Sequence, residues 1–367
     1  MSRRAYTVGT TKADCWNEVL HRCGSYDVYH LPEYHRLAEE QEDAQAVLFV
    51  CETQSRVVAM PILLRRIGGL PGIGPSEARD VTSVYGYPGP ISNLQYPSKE
   101  VVRHFAVSLC DYFKSKRVVT AFSRLHPLFP SQASYLRDLD GQVLEIGPTV
   151  AIDLSLPIDV QHQQYRNNHK RDINKAKRKG VTCVHDEGWS YLNAFIDVYC
   201  ETMCRVDADH YYFFDRTYFT RLRELLGDHL HLFVALKEGV VISGALFTVC
   251  NSTIQYHLGG TDARYLNLAP SKLIFDTVRL WGTEIGARIF HLGGGVGSRE
   301  DNLFHFKAGF SKLRYQFKIW RMIVDQDTYD QLTEQKRIWN EASGLEATDN
   351  NYFPAYRCPT RKVSHTG

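Results

Sequence analysis

One lysine set between phenylalanines, a few residues after a run of glycines, carries the strongest chemical signal in this sequence. The stretch IFHLGGGVGSREDNLFHFKAGF runs from Ile289 to Phe310. Ile289, Phe290 and Leu292 follow a strand-like apolar pattern and predict a short buried strand that carries His291. The strand runs into Gly293, Gly294 and Gly295, where the backbone can turn tightly and approach a ligand closely. A helix is expected to start at Ser298, with Asp301 in its first turns, and to present Phe306 and Lys307. A strand end, a glycine loop and a lysine in that order can hold an oxyanion or a phosphate, with loop amides and the lysine as donors. The spacing is neither a Walker loop, which needs Gly-Lys-Ser/Thr, nor a G-x-G-x-x-G, since the last position is Ser298. A plain strand-to-helix turn would use similar residues.

Other groups could converge on the same place, because ligands in open α/β sheets collect where strand ends meet helix starts. Tyr256 lies at the end of a predicted strand, Thr253–Gly259. The connector that follows holds Asp262 and leads to Pro270, which suits the first turn of a helix whose free amides favour anions. A general base could be Asp262, His291 or a water. Tyr85 and Tyr87 stand in a glycine- and proline-rich loop, and Arg205, Tyr211 and Tyr212 follow the helix ending ETMCR; these are candidate substrate-binding residues along with Tyr256. A long helix is predicted from Pro157 to Lys179. Its narrow apolar stripe is Tyr165, Ile173 and Ala176. Its broad face holds Arg166, Lys170, Arg171, Lys175, Lys177 and Arg178, a footprint for RNA or nucleotide phosphate, or else a solvated surface between domains.

The chain that positions these residues has 367 residues, 44% hydrophobic and 23% charged, with a formal net charge of +2. That is globular composition with length for two domains, and no global field draws it onto nucleic acid or membrane. Nine cysteines in no zinc-like spacing read as reduced thiols of a cytoplasmic protein, with no metal expected. The N-terminal residues lack the apolar core of a signal peptide, and no window is apolar for long enough to span a bilayer. Helical and strand periods alternate twice along the chain, giving two α/β blocks. The expected boundaries are 1–154, 155–325 and a C-terminal helix and tail over 326–367, which can return to the first domain and whose end is expected to be poorly ordered.

The FKAGF run with its glycine strand resembles the FKxGF signature of the FemABX aminoacyltransferases, within the wider group of acyltransferases of GNAT-like fold. The helix pattern Arg166, Arg171, Ile173, Ala176 and the LAPSKL helix start belong to the same resemblance. It implies two GNAT-like domains with mixed, mostly antiparallel sheets flanked by helices. It also implies an N-acyltransferase that forms an amide. Aminoacyl-tRNA would be the donor and the amine of a cell-wall precursor, sugar or small metabolite the acceptor, with no permanently bound cofactor. Lys307 would stabilise charge during transfer, with Phe306 beside it. GNAT enzymes grip the coenzyme A pyrophosphate with an Arg/Gln-x-x-Gly-x-Gly/Ala loop. Arg264, Asn267 and Ala269 occupy that spacing, with Asn267 in the left-handed position of the central glycine, and Ser271 and Lys272 open the next helix. An acyl-CoA or acyl-carrier-protein donor is therefore the alternative, and a non-catalytic RNA- or nucleotide-binding module is a third reading.

Overall fold

The structure is a computed structural model that describes residues 3–362, the side chains of Arg3 and His210 aside. The chain begins with strand β1 (Arg3–Gly9), helices α1 (Ala13–Cys23) and α2 (Pro32–Glu42), and strands β2 (Ala44–Thr53), β3 (Arg56–Arg66), β4 (Arg79–Thr82) and β5 (Ile91–Ser92). Helix α3 (Lys99–Ser115), strand β6 (Val118–Leu125) and the short α4 (Gln132–Tyr135) follow. After these come β7 (Gln142–Asp153), α5 (Ile158–Gln163), α6 (Asn167–Arg178), β8 (Val181–His185), α7 (Leu192–Arg205) and α8 (Arg216–Leu226). A run of β9 (Leu230–Lys237), β10 (Val240–Cys250) and β11 (Thr253–Thr261) leads to α9 (Pro270–Glu284), β12 (Ile289–Gly293) and α10 (Asn302–Lys307). The chain closes with β13 (Arg314–Ile323), α11 (Gln326–Ala342) and the small strands β14 (Leu345–Ala347) and β15 (Thr360–Lys362).

Two compact units result among the described residues, 3–145 with 318–362, and 146–317. In the first, the strand order is β1-β2-β3-β4-β6-β13. Helix α3 packs Val102, Phe105, Leu109 and Phe113 into a core with Phe49, Met60 and Trp320. Residues 326–362 belong to this unit: Tyr356 shares a hydrogen bond of 2.8 Å with Thr120, and Leu332 joins Ile67 and Val119 in a small core. The tail to Lys362 is tied down by pairing of β14 with β15, and its last residues, 363–367, lie outside the described ones.

In the second unit the order is β7-β12-β11-β10-β9-β8. All neighbours are antiparallel except β11 and β12. Its core joins Phe233, Phe247 and Phe290 of the sheet to Phe275 and Val278 of α9 and to Tyr165, Ile173 and Ala176. The single helix expected over 157–179 is instead two, α5 and α6, with a break at Gln164–Arg166. The break lets Tyr165 drop into the core, where its ring meets Phe310 edge-on at 5.1 Å and its hydroxyl accepts from Arg279 at 2.9 Å. Asp276 completes that buried cluster through Arg279 Nη2 at 2.9 Å.

Candidate active site

The parallel pair β11–β12 is short. Only Thr253–Gln255 face Ile289–His291. Beyond that point β11 stays with β10 as far as Thr261, while β12 ends at Gly293. The two strands therefore fork just past Gln255 and His291, whose side chains meet at 2.7 Å and hold the base of the fork. His291, a candidate base, is buried in this contact.

Lys307 reaches the mouth of the fork. The side chain is 5% exposed, its Nζ donates to the carbonyl of Gly294 at 2.6 Å, and it stands 5.2 Å from the centre of the Tyr256 ring. Burial pushes its pKa down to about 7, with Asp301 opposing the shift. Burial also raises the Tyr256 hydroxyl to about 12, so the phenol stays protonated at neutral pH. A carbonyl, a ring face and a lysine that titrates near neutrality thus line one spot at the edge of the sheet, the environment that tunes a lysine for chemistry.

In the glycine loop several amides are already engaged within the chain. The helix begins at Asn302 and not at Ser298, because Asp301 caps it, accepting from Phe304 N at 2.9 Å. The other Asp301 oxygen accepts from Val296 N at 3.0 Å, and Ser298 N and Arg299 N bond Gly295 O and Val296 O. Those amides are turned into the loop. Gly295 has no room for a side chain, since a Cβ there would lie 2.2 Å from Asp301 Oδ1. What the loop offers Lys307 is a carbonyl, that of Gly294.

The FKAGF turn is bolted to the start of the basic helix. Arg166 N donates to Gly309 O at 2.8 Å, Arg166 Nη1 to His305 O at 3.2 Å, and His169 Nε2 meets Phe306 O at 2.9 Å. A Cβ on Gly309 would lie 2.2 Å from the His169 ring, which is why the motif needs glycine there. His169 is buried, and burial lowers its pKa to about 4, so it stays neutral. The sequence reading missed His169. The signal was its place four residues before Ile173 and seven before Ala176, on the same helix face. Phe306 packs against Phe275 and Phe310 at 5.4 and 5.5 Å; its ring supports the turn.

The expected donor loop forms a tight 3-10 turn, Ala263–Leu268. The left-handed residue is Ala269, with φ 50°, and not Asn267. Asp262 caps the turn: one oxygen accepts from Arg264 N at 2.9 Å, and the carboxylate grips the Arg264 guanidinium, Nη2 at 2.6 Å. That hydrogen bonding holds Asp262 below the usual carboxylate range, and its contacts fix the loop. Tyr265 N bonds Asp262 O, Ala269 N bonds Leu266 O, Lys272 N bonds Ala269 O, and Pro270 has no amide hydrogen. Ser271 is half-buried in the first turn of α9.

Helix α6 lies along this loop. Lys175 Nζ donates to Asn267 O at 2.9 Å, Lys272 pairs with Asp172 at 2.7 Å, and Lys177 stands 3.5 Å from Asp276. Lys170 Nζ reaches Gln163 O, and Arg171 is mostly exposed beside Asp172. Arg178 points outward. The basic face therefore flanks the Arg264–Ala269 turn, with the Arg264 side chain 76% exposed.

The remaining candidates scatter. Arg205 Nη1 donates to Thr261 O at 2.9 Å, which places it beside Asp262. Tyr212 O accepts from Tyr199, and the exposed Tyr211 ring packs on Tyr212 at 5.5 Å. Tyr85 and Tyr87 belong to the first unit, Tyr85 under Arg124 and Tyr87 edge-on to Tyr29.

Residues 163–307 match the family described as an acetyltransferase (GNAT) domain. The crystal structure of FemX superposes with a TM-score of 0.69 at 14% identity, over 90% of this chain and 99% of that one. L-PGS from Bacillus licheniformis gives 0.55 at 13%, over 84% and 90%. A tandem GNAT protein from the clavulanic acid biosynthesis pathway gives 0.51 at 10%, over 88% and 99%. No curated protein matches the sequence. The fold is the expected one: mixed, mostly antiparallel sheets flanked by helices, as in tandem GNAT-fold proteins. Among the described residues no helix is long and apolar enough to cross a membrane.

Proposed function

From the premise that the chain is an acyltransferase carrying a GNAT domain over residues 163–307, we propose that it moves an aminoacyl group from aminoacyl-tRNA onto an amine and forms an amide. The acceptor class is the amine of a cell-envelope precursor, a sugar or a small metabolite. The observation that carries this reading is the pairing of a closed loop with an open basic helix. The amides of Arg264, Tyr265, Ala269 and Lys272 already have acceptors within the chain, so they are not poised to cradle a pyrophosphate. Beside them α6 presents the cations that suit a phosphodiester backbone. Similarity of fold to FemX and to L-PGS supports the same class of reaction.

In this reading the aminoacyl ester lies at the fork, over Tyr256. The acceptor amine attacks its carbonyl directly, so no covalent enzyme intermediate forms; the ester C–O bond to the ribose then breaks, and the proton lost by the attacking nitrogen passes to the ribose oxygen, which leaves as a hydroxyl of the free tRNA. The tetrahedral oxyanion takes a hydrogen bond from Lys307, in its protonated form, in place of the Gly294 carbonyl. Negative charge at Nζ raises the lysine's proton affinity, so the group holds its proton most firmly as the oxyanion develops. Loss of one such donor costs on the order of 3 kcal/mol of transition-state stabilisation. Lys307→Ala is therefore expected to lower kcat at least a hundredfold with charged tRNA still bound. Wild-type turnover in that variant would remove Lys307 from the mechanism.

A further inference from the structure

A second cleft, of about 350 Å³, opens against α10 in the same unit. Its walls include Pro148, Arg166, Glu300, Phe304, His305 and Arg314. Arg166 uses one Nη on His305 O. Arg314 uses one Nη on Ser311 O and Leu313 O, at 2.8 and 2.9 Å, and its guanidinium stands 5.5 Å from the centre of the Phe304 ring. Among the described residues neither guanidinium has an ion-pair partner, and the Nε and second Nη of each carry no hydrogen bond to the chain. Two unpaired guanidiniums facing one cleft repel each other. Burial, and then Arg166, lower the pKa of Arg314, while Glu300 partly offsets the effect. Such a pair is relieved by an oxyanion, which forked N–H donors can bind through two oxygens.

The cleft is also close to the chemistry. Phe304 and His305 precede Lys307 on α10, and the Pro148 carbonyl lies 3.1 Å from where a Cβ on Gly294 would be. Gly294 is the residue whose carbonyl holds Lys307. We infer that Arg166 and Arg314 bind an oxyanion group, carboxylate or phosphate, of the substrate that reacts beside Lys307. Arg314 was not singled out by the sequence. Glu300 limits the net charge of the cleft to +1, which suits a single anionic group over a polyphosphate. The assignment of the anion to a substrate rests on the acyl-transfer reading, whereas the binding itself does not.

The test is a calorimetric titration of the full chain with inorganic phosphate and, separately, with N-acetylglycine as a carboxylate. Saturable binding of at least one is expected, and the tighter probe identifies the source of the anion. Arg314→Gln should weaken it about tenfold or more. Glu300→Gln should tighten it a few fold. Among the described residues Glu300 holds no hydrogen bond, so its variant keeps the fold and decides the matter alone if Arg314→Gln misfolds. No saturable binding by the wild type, or unchanged affinity in Glu300→Gln, would overturn the proposal. The readout needs no turnover. A protein that binds the anion as expected yet transfers nothing from charged tRNA overturns the donor reading only. One that transfers, with anion affinity unmoved by the variants, overturns this inference only.

Discussion

Lys307 is the residue where burial and chemistry meet. An unfolded chain holds its lysine protonated up to about pH 10.4, while the folded site lets it go near 7. Between those values the unfolded state binds the extra proton, so stability rises with pH from about 7 to about 10 and the cost of the buried charge is felt in full below 7. The difference is on the order of 5 kcal/mol at 1.36 kcal/mol per unit. Lys307→Met should flatten that rise, as read by denaturant unfolding at pH 6.5 and 9.5; an equal rise in the variant would show that Lys307 carries no such penalty. Gly309 makes a second prediction. Gly309→Ala drives a methyl into the His169 ring, and overpacking of this kind costs about 1–3 kcal/mol. Thermal unfolding would measure it, and an unshifted transition would mean the FKAGF turn is not fixed against α6.

At the scale of elements, the glycine strand, the basic helix and the FKAGF turn were legible in sequence because their signals are local: apolar alternation, charge on a helical period, and glycine before a helix. The break at Tyr165 was not legible. Helical periodicity runs through it, and what stops the helix is a tertiary partner set, Phe310, Asp276 and Arg279, drawn from segments over a hundred residues away. The roles of Asp262 and His291 were hidden for the same reason. Sequence shows that they can titrate; only the fold shows that Arg264 and Gln255 engage them. Strand β1 was missed because RRAYTVG alternates weakly and gains its order from pairing with β2. Tyr165→Phe tests the break: the buried Arg279 loses an acceptor, and a loss of about 1–3 kcal/mol is expected in denaturant unfolding. No change would mean that ring packing alone sets the kink.

At the scale of the whole molecule, composition gave the right class and a duplicated architecture, yet the limits of the units were hard to read. They fall at Glu145 and Phe317, inside β7 and β13, so each limit lies within one continuous strand and not in a loop. The return of residues 318–362 to the first unit depends on long-range partners such as Tyr356 with Thr120 and Arg357 with Asp80. The near-zero net charge has a consequence for function. A polyanionic donor finds no general field, so its binding must rest on the α6 face and its neighbours.

The most direct measurement is therefore equilibrium binding of aminoacyl-tRNA and of acetyl-CoA across a range of salt concentrations, with wild type and with Lys175, Lys177 and Arg178 changed to Gln. Charged tRNA is expected to bind and acetyl-CoA is not, and the variant is expected to weaken binding and to make the plot of log affinity against log salt shallower by about two units. Binding of acetyl-CoA without charged tRNA, or a salt slope that the three substitutions leave unchanged, would contradict the proposed donor.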